Sequence, residues 1–300
     1  MLLFVKYRFT LFGCAAILFW SCLTALSRNV TEQLGPVGGA ACLYTVSAIF
    51  LLLVMGPPKL KGLSASYVLV GGGLFVVYEI FLTLALGMAN DRLQAMEMAV
   101  INYLWPAFTV LFAVLTSPKK TSWLVYPSII LAFFGVAWSI SGDDGLTISK
   151  IVANVATNPA TYAMAFFGAI IWAIYCNLTK RLANGQNAIT LFFSATAIVL
   201  WIQYGLSDEA GMTFSLGAGV DLLLAGLVMG SGYALWNIAI IGGNMMLLAT
   251  MSYFTPIFST FLSSLILGVS LSSTFWQGVV MVTVGSLVCY WVTKDKSIKA

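Results

Sequence analysis

The sequence predicts an all-α integral membrane protein whose ten transmembrane helices form two inverted five-helix repeats. Three observations predict it. Sixty per cent of the residues are hydrophobic and 8% are charged, with a mean hydropathy of +0.97, which leaves too little polar surface to cover a soluble globule. Polar and turn-forming residues cut the chain into ten apolar stretches, each near the ~20 residues that a helix needs to cross a bilayer. A short motif also occurs twice, as Asn102-Tyr103-Leu104-Trp105-Pro106 and, 150 residues later, as Ser252-Tyr253-Phe254-Thr255-Pro256. A membrane barrel would instead show alternating segments of about 10 residues.

The first span, 9–27, follows Lys6 and Arg8 and so begins like a secretory signal. It runs without a small-residue cleavage site into Trp20 and Leu23, and nine spans follow, so it reads as a retained helix. The second, 37–55, opens on the small-residue run Gly35 to Ala41, and the third, 66–88, on Gly71-Gly72-Gly73. Such runs let helices approach closely, and neither has the spacing of a phosphate cradle. The fourth, 95–115, holds Pro106 near its middle, and the fifth, 122–140, holds Gly135. In the sixth, 160–179, Gly168 and Trp172 repeat the pattern of Gly13 and Trp20 with a small gap. The seventh and eighth run over 188–205 and 219–241; the ninth, 245–267, holds Pro256, and the tenth, 274–293, holds Gly285, 150 positions after Gly135.

Basic residues orient the chain. With a cytoplasmic amino terminus, Lys6, Arg8, Lys59, Lys61, Lys119, Lys120, Lys180, Arg181, Lys294, Lys296 and Lys299 fall inside, and only Arg28, Arg92 and Lys150 outside. Both termini are therefore expected in the cytoplasm, and the net charge of +4 reports topology, with no nucleic-acid surface implied. Cys14, Cys22, Cys42, Cys176 and Cys289 sit inside spans without paired spacing, which points to packing.

Residues 1–150 and 151–300 read as two copies of one unit. Because each holds an odd number of spans, the second enters the membrane from the opposite side. Inverted repeats are the architecture that many secondary transporters use for alternating access, with the substrate bound near the midplane between them. Within that frame, Pro106 and Pro256 are read as bends that free the carbonyls of Asn102 and Ser252. Freed carbonyls at membrane depth need a partner or a water-filled cavity.

Glu79 and Glu97 are the acids placed within spans, and each is a candidate coupling acid. Glu97 lies near an outer end, where snorkelling to water would suffice; Asn102, Tyr103 and Trp105 are favoured over it as cavity residues. No Lys or Arg is placed within a span, which disfavours strongly anionic substrates. Trp20, Tyr78, Trp172, Tyr175, Tyr233, Trp236 and Tyr253 supply stacking surface at depth, and Asn237 a polar group from the second half. Packing between helices accounts for part of this aromatic set. With no histidine and no clustered acids, neither a catalytic dyad nor a metal site is recognisable.

These features resemble the drug/metabolite transporter superfamily in its EamA-type branch. Within that branch, Leu34 to Ala41, the two proline motifs, Phe167-Gly168-Ala169 with Ile171-Trp172-Ala173, and Phe275-Trp276-Gln277-Gly278 resemble bacterial exporters of aromatic amino acids. The similarity runs along essentially the whole chain. It implies a monomeric exporter of the bacterial inner membrane that needs no cofactor. It also implies a cavity lined by spans one, three, four, six, eight and nine, aromatic amino acids or aromatic cations such as paraquat as substrates, and coupling to protons. Export of another neutral or cationic metabolite or drug, and uncoupled facilitation, stay open alternatives.

Overall fold

Chain buried in lipid can satisfy its own backbone only as helices or as a closed barrel, and the computed structural model of this protein is helical. It describes the backbone at residues 2–58, 62–116, 122–141, 147–183, 186–242, 248 and 251–293, and the side chains of these except at 2–7, 113, 180–181, 237, 240–242 and 293. Among the described residues there are twelve α-helices and no strand. They are α1 (Leu2–Leu34), α2 (Pro36–Met55), α3 (Gly72–Gly87), α4 (Arg92–Asn102), α5 (Trp105–Leu115), α6 (Val125–Ile140), α7 (Ile148–Thr157), α8 (Pro159–Leu182), α9 (Ile189–Leu206), α10 (Leu216–Gly242), α11 (Thr255–Leu267) and α12 (Ser273–Thr293). A π-helical turn, Tyr67–Gly71, leads into α3.

Eight helical segments among the described residues are long and apolar enough to cross a membrane. Predicted spans five and nine appear as shorter apolar helices, Val125–Ile140 and Thr255–Leu267. Leu248, Met251 and Ser252 are also helical ahead of the latter, and 243–247 and 249–250 lie outside the described residues. The count of ten thus rests on those two short helices. Most of the basic residues that orient the chain (Lys59, Lys61, Lys119, Lys120, Lys294, Lys296 and Lys299, and the side chains of Lys6, Lys180 and Arg181) are likewise outside the described set.

Two elements depart from the sequence reading. First, α1 does not end near residue 27; it continues to Leu34, because Gly35 is the first residue to turn, at φ +88°. Arg28, read as a loop residue, therefore lies on a buried helical turn and is 6% exposed. The expectation that no basic residue occurs within an apolar helix fails here. Secondly, α7 fills a stretch read as loop. Its Ile148, Ile151, Val152 and Val155 fall on one stripe, the pattern of a short helix lying along an interface. The Asn154 Nδ2 donates to the Ile140 carbonyl, 3.0 Å away, and ties it to the end of α6.

The fourth span, read as bent at Pro106, is broken just before it, as proline demands. The helix closes at Tyr103 and Leu104, where the Leu104 N–H donates to the Ile101 carbonyl at 3.0 Å, and α5 restarts with Pro106 in its first turn. The second motif takes the same form: a turn at Tyr253 and Phe254, the Phe254 N–H on the Met251 carbonyl at 3.1 Å, then α11 with Pro256 in its first turn. Proline cannot donate to the carbonyl four residues back. The Ser252 carbonyl, so released, accepts from the Thr255 Oγ1 at 2.6 Å.

The helices pair chiefly as α6 with α12, α1 with α10 and α11, α2 with α9, and α3 with α8. Glycine sets the closest of these. A Cβ on Gly278 would lie 2.5 Å from the Gly135 carbonyl oxygen, and one on Gly285 would lie 2.6 Å from that of Ser128. Small residues at such crossings let backbones touch where lipid gives no hydrophobic drive to associate. The buried apolar residues form two cores, one among α4, α5, α6, α8 and α12, the other among α1, α2, α3, α9 and α10.

Candidate functional site

A connected wall of rings packs mainly on the second core and reaches the first through Trp105. Tyr78 of α3 stacks on Trp172 of α8, with centroids 4.4 Å apart and planes at 28°, and Trp172 stacks on Tyr175 at 4.8 Å. Trp105, at the start of α5, meets Trp172 edge-on at 6.5 Å. Phe75 joins this group to Tyr233 of α10 at 6.2 Å, and Tyr233 and Trp236 pack against Trp20 of α1 at 5.4 and 5.0 Å. Seven of the predicted ring residues are thus brought together from five helices, with Phe75 as the link.

The spacing explains why these rings converge. Residues 172 and 175 lie three apart on α8, and 233 and 236 three apart on α10, so each pair shares a helix face. Edge-on and offset contacts suit the ring quadrupole and give such a wall shape as well as area.

Polar groups sit within the wall. Glu79, 2% exposed, accepts from the Tyr44 hydroxyl at 2.5 Å and from the Tyr233 hydroxyl at 2.7 Å, so helices α2, α3 and α10 meet at one carboxylate. Thr83 lies 3.2 Å from the Tyr44 hydroxyl. The Asn102 Nδ2 donates to the Tyr78 hydroxyl at 3.3 Å. A buried carboxylate in lipid is costly unless hydrogen-bonded, and the two hydroxyls meet that need.

Other predicted site residues lie elsewhere. Tyr103 points its hydroxyl at Thr24 and Ser259, which are 3.3 Å from each other, and so joins α1 to α11 beside the broken helix. Tyr253 packs on Tyr290 at 5.2 Å. The side chain of Asn237 lies outside the described residues. Glu97, expected to reach water, is 6% exposed and accepts a hydrogen bond from Tyr162. It also lines a separate cleft of about 540 Å³ with Leu93, Ser139, Lys150, Asn154 and Phe275.

Sequence reasoning passed over four contributors. Tyr44 lies in no motif and gave no signal of its own. Phe75 has no polar handle and so gave no signal. Arg28 and Glu32 stand i,i+4 on α1, a spacing that could have announced their ion pair. The Arg28 Nε donates to Glu32 at 2.8 Å, and its Nη1 to the carbonyls of Leu86, Gly87 and Ala89 at 2.9, 3.1 and 2.8 Å. Glu32 also pairs with Arg92 at 2.8 Å, and the Arg92 Nη1 donates to the Leu267 carbonyl at 2.7 Å. Beside them, both Glu209 carboxylate oxygens accept from the first free N–H groups of α2, at Val37 and Gly38, at 2.8 and 2.9 Å. Gly35 makes room for that contact, since a Cβ there would lie 2.0 Å from the Glu209 Oε1.

Comparison with known proteins bears on this geometry. Residues 160–291 match the EamA-like transporter family. The aromatic amino acid exporter YddG of Salmonella typhimurium is 46% identical over 287 residues, covering 96% of this chain and 98% of the relative. The protein of the same name from Escherichia coli is 44% identical over 289 residues, with 96% and 99% covered. That from Ancylobacter novellus is 25% identical over 266 residues, with 84% and 86% covered. One solved crystal structure superposes with a TM-score of 0.67 at 23% identity, covering 95% of this chain and 97% of the other, and speaks for the fold alone.

Proposed function

Since the chain belongs to the EamA-like transporter family, we propose that it is a secondary active exporter of aromatic amino acids across the bacterial inner membrane. The observation that carries this reading is the wall of rings from five helices, with Glu79 and Asn102 set into it. Stacked rings give a surface for an aromatic side chain, and the polar groups give anchors for its charged end. The names of the 46% and 44% identical relatives support the same substrate class.

Transport proceeds by alternating access. The two halves, 1–150 and 151–300, are inverted copies that rock against each other. The matching breaks before Pro106 and Pro256 give each half a bend at equivalent depth. Both termini face the cytoplasm. Glu79 carries the proton that couples export to the gradient, being the carboxylate set in the ring wall. The protein works as a monomer.

Counterflow of labelled phenylalanine into proteoliposomes tests this. Unlabelled phenylalanine, tyrosine or tryptophan should drive uptake. Trp172→Ala and Tyr78→Ala should each lower it by several-fold to about tenfold, as loss of a stacking contact worth about 0.5–1.5 kcal/mol predicts. Undiminished counterflow in both variants at equal membrane abundance would remove the wall from substrate binding. A response to aromatic cations but to no amino acid would favour the metabolite or drug alternative, for which the carboxylate among rings also offers a site.

A further inference from the structure

Protein interiors leave few buried polar atoms without a partner, and those that remain call for a reason. Two such atoms of opposite character belong to the ring wall. The Asn102 Oδ1, an acceptor, has no hydrogen-bond partner among the described residues, although Asn102 is only 5% exposed and its Nδ2 is engaged by Tyr78. The Trp20 Nε1, a donor, is closed off from solvent and equally without a partner among the described residues. Each lies beside a glycine of the second half. A Cβ on Gly168 of α8 would come 3.9 Å from the Asn102 Oδ1, and one on Gly232 of α10 would press to 3.0 Å from the Trp20 Nε1. No side chain of those helix positions covers either atom.

Glu79 is the more heavily engaged acceptor. Both of its oxygens are already engaged, one by Tyr44 and one by Tyr233. The two unpartnered atoms are joined through the rings: Trp20 to Tyr233, Tyr233 to Phe75, Phe75 to Trp172, Trp172 to Tyr78, and Tyr78 to Asn102. A zwitterionic amino acid needs one acceptor for its ammonium and one donor for its carboxylate. A site built to hydrogen-bond a group strongly rejects analogues that lack it, because its own buried group is then left unpaired.

We propose that the Asn102 Oδ1 accepts from the substrate ammonium and the Trp20 Nε1 donates to its carboxylate, so that these two residues select the zwitterion over aromatic amines and aromatic acids. The assignment rests on the export reading above and deepens it.

The test is phenylalanine counterflow by the full-length protein in proteoliposomes, with 2-phenylethylamine, which lacks the carboxylate, and 3-phenylpropionate, which lacks the ammonium, as competitors. In the unsubstituted protein each analogue competes at least tenfold more weakly than phenylalanine. Asn102→Ala weakens phenylalanine about tenfold and closes its gap to 3-phenylpropionate only. Trp20→Phe, which keeps a ring and removes the N–H, closes the gap to 2-phenylethylamine only. Asn102→Asp, which keeps an acceptor oxygen, retains phenylalanine and improves the amine, and it serves if the alanine variant does not reach the membrane. Variants that weaken phenylalanine and both analogues in equal proportion, or that exchange the two patterns, overturn the assignment while leaving aromatic export standing. Absence of any phenylalanine counterflow in the unsubstituted protein overturns the export reading itself, and this assignment with it.

Discussion

At the scale of single residues, the Glu79 network is where burial and chemistry meet. The carboxylate is held by hydroxyls from α2 and α10, so removing one donor leaves a buried acceptor short. Tyr233→Phe should lower thermal stability in detergent by an amount set by about 1.5–3 kcal/mol, the worth of a hydrogen bond to a charged group. Unfolding followed by size-exclusion chromatography after heating measures it; an unshifted midpoint would show that the bond contributes nothing. Glu79→Gln asks a different question, because it keeps the shape and removes the titrating group. If Glu79 carries the coupled proton, counterflow by the variant loses the pH dependence of the parent; an unchanged profile excludes it. The acid was legible in the sequence as a charge with no basic partner in its span, and the rings as deep Tyr and Trp. Tyr44 and Phe75 were not singled out, since nothing in a one-dimensional pattern separates a ring that holds the site from one that fills the core.

Among elements, proline and glycine carried the most readable information. Pro106 and Pro256 removed the same donor at matching depth, and the breaks stand directly before them. Gly135 and Gly285, noted for their spacing, sit on facing helices α6 and α12, where backbones nearly touch. Glycine there is needed for space alone. Gly278→Ala, whose Cβ would meet the Gly135 oxygen at 2.5 Å, should reduce folded protein, at a cost of about 1–3 kcal/mol for overpacking. Gly73→Ala, with nothing within 4 Å of the added carbon, serves as the matched control and should be neutral. Equal yields of both in a membrane fraction would contradict the close-packing account. The elements that escaped the sequence reading did so for one reason. The end of α1 and the whole of α7 mix polar with apolar residues, so hydropathy alone placed them outside the membrane; their periodicity, not their mean, marks them as helix.

For the whole molecule, the proposed division into halves comes from the offset of the motifs, whereas the ties between those halves were not legible, because they join residues far apart in sequence. At the end that carries Gly35 and Arg92, three contacts cross from one half to the other. Arg92 holds the Leu267 carbonyl, Glu209 holds the start of α2, and Gln33 donates to Asp221 at 2.6 Å. One helical turn before Arg28, the Thr24 and Ser259 hydroxyls meet beneath Tyr103. If the halves rock during transport, this end opens only when the Arg92 and Glu209 contacts part. In the proposed topology this end faces the periplasm. Weakening the ties therefore favours exposure of Ser259, now 1% exposed, to the outside. A Ser259→Cys reporter, with the five native cysteines replaced, should react slowly with a membrane-impermeant maleimide added to intact cells. Adding Arg92→Ala or Glu209→Ala should speed labelling about tenfold or more, since each removes a bond worth about 1.5–3 kcal/mol from the closed form only. Labelling that stays slow in both, with the protein still at normal abundance, would show that this end does not open through these contacts.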